Sequence, residues 1–124
     1  MARNKYLGSW RESTFESIER AFSAESFRDL LLSATGPGPE FTHQQIADWS
    51  LRFWREVSEG SLGDARSPDL KRVAAVALDV DAQWDMYLSN TYSLSQLQTM
   101  DFSQVRLPLE WFDNWLSKLN ASAV

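Results

Sequence analysis

Between Pro68 and Leu88 the apolar residues Val73, Ala77, Val80, Trp84 and Tyr87 recur at spacings of three and four, with Val76 and Leu88 on the flanks. That period puts one buried stripe on a helix, and it predicts a helix over 68–88 around which the rest of the chain packs. Ser67 suits its N-cap, Pro68 its first position, and Asp69 places a negative charge in the first turn. A second helix is predicted over 42–58. There Thr42 and Gln45 form a capping box, Phe41 and Ile46 have the spacing of a hydrophobic staple, and Ile46, Trp49, Phe53 and Val57 make the stripe. Leu51 and Trp54 widen its apolar surface, which predicts contacts on two sides.

The same grammar recurs elsewhere. Ser13 with Glu16 reads as a capping box before Phe15, Ile18 and Phe22, and Ser23 or Ser26 as the cap of a helix through Phe27, Leu30, Leu31 and Ala34; the pattern leaves open whether 13–34 is one helix or two. Gly36-Pro37-Gly38-Pro39 breaks the chain, because its prolines lack amide donors. Residues 59–67 form a polar connection with Gly60 and Gly63. Ser93 with Gln96, stapled by Tyr92 and Leu97, starts a short helix from Leu94 toward Met100. Residues 101–107 are ambiguous, and Pro108 opens a last helix with stripe Leu109, Phe112, Leu116 and Leu119 beside Trp111 and Trp115. Residues 1–12 lack a period and read as an arm that Tyr6, Leu7 and Trp10 could tie down, while the tail 120–124 should fray. The sum is an all-α protein: a single domain spanning 1–124, built as an antiparallel bundle of four or five helices.

Composition narrows the class. A chain of 124 residues with 44% hydrophobic residues can bury a core unaided, and six Trp supply core anchors with some left over for contacts. The net charge of -5 is uneven: residues 1–73 carry 11 acids and 10 bases, residues 74–124 carry 6 acids and only Arg106 and Lys118. Direct nucleic-acid binding needs clustered bases and is disfavoured, whereas a basic protein partner is attracted. The lack of Cys removes disulfides and thiolate chemistry and fits a reducing cytoplasm. No apolar run is long enough to span a bilayer.

Candidate chemistry is sparse. His43, the only histidine, has no nucleophile or metal ligand at a useful spacing and reads as a solvated first-turn residue. No phosphate loop, nucleophile elbow or zinc signature occurs, so no catalytic, cofactor or metal site is expected. Asp81 and Asp85, four apart on a helix edge, with Asp79 on another side, suggest docking of Lys or Arg beside Trp84; a solvated face with internal ion pairs is the plainer alternative. Trp49 reads as core, Trp54 as either a packed or an exposed residue, and Trp111 and Trp115 as rings stacked along one side of the last helix.

The order FTHQQIADWSLRFWREV, a polar connection, then ALDVDAQWD resembles small helical immunity proteins of the colicin D type, including partners of contact-dependent inhibition toxins. The likeness spans Phe41 to Leu88 and centres on Asp79-Val80-Asp81-Ala82; the first 40 residues and the Trp-rich end have no counterpart in it. It implies a four-helix bundle that blocks the basic cleft of a nuclease toxin, with Asp79 and Asp81 carried over by the motif.

These strands give the expected function: a cytoplasmic immunity or antitoxin-like protein, not an enzyme, that binds a basic toxin domain. The expected contacts are Asp79, Asp81 and Asp85, with Trp84 or Trp54 in an apolar recess. The rival is an adaptor or assembly chaperone holding a partner helix in an aromatic groove. Charge occlusion weakens with salt; groove binding barely responds.

Overall fold

The computed structural model describes residues 16–36, 40–60 and 68–121. Among them the chain is all-α, a bundle of five helices: α1 (Ala24–Thr35), α2 (His43–Ser58), α3 (Pro68–Thr91), α4 (Leu94–Thr99) and α5 (Leu109–Ala121), with a 3-10 turn (Phe102–Gln104) before the last. Helix α2 packs along α3 as the main interface, and α1 packs on α5. The N-terminal arm 1–12, the cap residues Ser13 and Ser67, and most of the two predicted connections lie outside the described residues.

Local chemistry sets the helix ends. Both halves of the capping box are made at α2, where the Gln45 amide donates to Thr42 Oγ1 and the Thr42 amide to Gln45 Oε1, and again at α4 between Ser93 and Gln96. Ser23 caps α1 by accepting from the Ser26 amide at 3.1 Å. Helix α2 ends where Gly60 takes φ 71°, a left-handed conformation that a side chain would strain, and its amide donates to the Val57 carbonyl. Pro108 immediately precedes α5 and its carbonyl accepts from the Trp111 amide.

The stripes fill the core. Phe22, Phe27, Trp49 and Phe53 form one aromatic cluster with ring centroids 5.2 to 6.2 Å apart. Each fully buried ring contributes roughly 1.5 to 3 kcal/mol by leaving water. Ala77, Val80, Trp84 and Leu88 of α3 and Phe112 and Leu119 of α5 complete the interior.

The helix predicted from Ser13 through Phe22 is not formed over 16–22, which runs as irregular backbone up to the α1 cap. Ile18 is nonetheless buried. Alternate carbonyls of this segment are taken by side chains of one helix: Gln45 Nε2 donates to Glu16 O at 2.7 Å, Arg52 Nη2 to Ile18 O at 3.1 Å, and Trp49 Nε1 to Arg20 O at 3.3 Å. Residues 45, 49 and 52 share a face of α2, so the helix offers three donors where an extended segment turns every second carbonyl the same way. Residues 101–107, ambiguous in sequence, bury Phe102, Val105 and Leu107 against the bundle.

Candidate functional site

Along the seam of α3 and α5 the side chains of Asp79, Gln83, Trp111, Asn114, Trp115 and Lys118 line a shallow cleft of about 180 Å³. The spacing explains the grouping: 79 and 83 share a face of α3, while 111, 115 and 118 recur at four and three on α5. Trp115 is buried, and its indole N–H is satisfied by donating to Asp79 Oδ2 at 2.8 Å. Lys118 Nζ approaches the same oxygen at 4.0 Å, with 59% of its side chain exposed against 39% for Asp79. Such a long, exposed pair contributes little. Trp111 is half-buried and held edge-on by Tyr87 (5.9 Å, 89°) on one side and Trp115 (6.4 Å, 76°) on the other. The cleft thus joins one fixed carboxylate, two neutral amides and a partly exposed indole.

Of the five residues expected to grip a partner, only Asp79 lies in this cleft. Asp81 and Asp85 are 2% and 9% exposed, Trp84 is buried between them, and both aspartates are engaged within the protein. The expected acidic edge is therefore an inner face. Helix α3 is covered by α1, α2 and α5 together, so its buried arc is wider than a single stripe and takes in positions 81 and 85. Trp54 is half-buried against the core, away from the cleft lining. Trp49 is a core residue as expected. Trp111 and Trp115 meet edge to face, not stacked. Sequence reasoning placed this tryptophan pair but did not join it to Asp79, although the lone indole N–H of a buried Trp115 requires an acceptor.

His43 is a second correction. It is 1% exposed instead of solvated, its Nδ1 accepts from the Leu107 amide at 2.8 Å, and its ring sits 4.6 Å from that of Phe112. Its Nε2 is buried without a hydrogen-bond partner. Burial and the nearby Arg106 charge lower its pKa from 6.5 to about 4. The imidazole is therefore neutral at pH 7 with its proton on Nε2, and it joins α2 to the 101–108 connector.

Among the described residues no group of three or more His, Cys, Asp or Glu could hold a metal ion, and no helix is long and apolar enough to cross a membrane. No family model, curated protein or solved structure matches the chain.

Proposed function

We propose that this is a cytoplasmic binding protein of the immunity type, which docks a basic domain of a nuclease toxin and occludes it. The observation that carries the reading is the Asp79 cleft: a carboxylate fixed by Trp115 and bordered by a half-buried Trp111, on a chain of net charge -5. Its size supports a protein partner over a small-molecule substrate. At about 180 Å³ it falls below the roughly 300 to 1,000 Å³ of ordinary ligand pockets and suits one side chain. The acidic half of the chain supplies α3 and α5, the two helices that form the seam, so the field around the cleft favours a positive partner. The likeness of Phe41–Leu88 to colicin D-type immunity proteins narrows that partner to a toxin. The lack of cysteine fits a reducing compartment.

The test is co-expression with the nuclease-toxin domain encoded beside this gene, followed by titration of the two purified proteins. Wild type should protect cells and bind more weakly as salt rises. Asp79→Ala combined with Trp111→Ala should bind at least tenfold more weakly while remaining folded. A dissociation constant weaker than roughly 1 mM for the wild-type pair overturns the reading.

A further inference from the structure

The geometry of the cleft points to one arginine side chain of a partner protein as its occupant, with Lys118 covering the seat in the free protein. This deepens the partner-binding reading and rests on it. Both contacts to the Asp79 carboxylate, from Trp115 Nε1 and from Lys118 Nζ, fall on Oδ2; Oδ1 accepts from no described residue. Gln83 and Asn114 add two amide carbonyl oxygens to the lining. A guanidinium carries five N–H donors in one plane and spreads them over a carboxylate and flanking carbonyls, whereas an ammonium presents a compact charge that cannot reach all three. The indole of Trp111, held edge-on between Tyr87 and Trp115, presents the aromatic surface on which a guanidinium stacks. An anionic group such as a phosphate would meet the Asp79 carboxylate and be repelled.

Lys118 completes the argument. Its ammonium reaches Asp79 only at 4.0 Å, and most of its side chain is exposed. It neutralises the carboxylate loosely and can swing into water when a better donor arrives, so it competes with the arriving arginine. Removing its charge should tighten binding, the opposite of what loss of a true contact would do.

The experiment uses the full chain and a short blocked peptide, acetyl-Gly-Arg-Gly-amide, with its lysine and citrulline counterparts as controls. The readout is the Trp115 indole N–H signal in a nitrogen–proton NMR spectrum, since that proton is bound to Asp79. The arginine peptide should shift it with a midpoint on the order of 1 to 10 mM, as one side chain allows. The lysine peptide should bind at least threefold more weakly and the citrulline peptide should leave the signal in place. Lys118→Met should tighten arginine binding at least twofold, and Asp79→Asn should abolish it. Equal shifts from arginine and citrulline, or an affinity unchanged by Lys118→Met, overturn the proposal. Because no toxin is present, that failure is distinct from failure of the partner reading, which the two-protein titration decides.

Discussion

The backbone amide of Leu107 donates to Nδ1 of His43 across 2.8 Å, tying the connector before α5 to the first turn of α2, 64 residues away in sequence. The bond requires a neutral imidazole, because a protonated Nδ1 cannot accept. The folded protein holds the His43 pKa near 4, below the 6.5 of an unfolded chain. As pH falls below 6.5 the unfolded chain takes up a proton that the folded one refuses, so stability declines through the window from 6.5 to about 4. At 1.36 kcal/mol per pH unit the loss approaches about 3 kcal/mol. Urea unfolding of wild type and His43→Asn at pH 7, 6 and 5 isolates this effect. The variant keeps an acceptor near Nδ1 and does not titrate, so its curve should be flatter although it starts lower. Parallel curves would refute the assignment.

Asp79 and Asp81 stand two residues apart and should respond in opposite ways. Asp81→Ala removes a buried, engaged carboxylate and is expected to cost roughly 1 to 3 kcal/mol of stability. Asp79→Ala strands the Trp115 indole and should cost about 1 kcal/mol, its main effect falling on partner binding. Denaturant titration paired with a binding measurement separates the two. A stable Asp81→Ala protein that has lost its partner would return the contact surface to the other side of α3.

The difference between these aspartates is partly legible in sequence. With 100° per residue, Asp81 lies 40° from Ala77 and 60° from Trp84. It sits within the buried arc once Leu88, and not Tyr87, is taken as the end of the stripe. The helices themselves were readable because their signals are local: Thr42 with Gln45, Ser93 with Gln96, Pro108 before α5. The segment 16–22 was misread because Ile18 and Phe22 are four apart, a spacing that shares a face in a helix and in an extended chain alike. What decides between them is nonlocal, namely the donors of Gln45, Trp49 and Arg52 some thirty residues onward. The cleft was illegible for the same reason, since it joins residues of α3 to residues of α5.

Ile18 tests whether that segment is part of the fold. Its burial predicts that Ile18→Ala destabilises the protein by roughly 2 to 4 kcal/mol in urea unfolding. A change below about 0.5 kcal/mol, the scale of a surface substitution, would show that the segment does not dock.

Capping makes a quantitative contrast. Thr42→Ala removes the side-chain half of the box at the head of the sixteen-residue α2 and should lower stability by about 1 kcal/mol without changing the fold. The equivalent Ser93→Ala acts on a helix of six residues, whose few internal bonds leave it dependent on its cap. Amide exchange should therefore accelerate locally over 94–99 in Ser93→Ala, and uniformly in Thr42→Ala.

The three bonds that hold residues 16, 18 and 20 all end on peptide oxygens, which every amino acid possesses. Such a grip is nearly indifferent to spelling. Glu16 and Glu19 can drift in identity over evolutionary time with little consequence, provided an apolar residue stays at 18, while the burden of constancy passes to Gln45, Trp49 and Arg52. Divergent descendants of this chain should thus look unrelated at their beginnings and alike along α2.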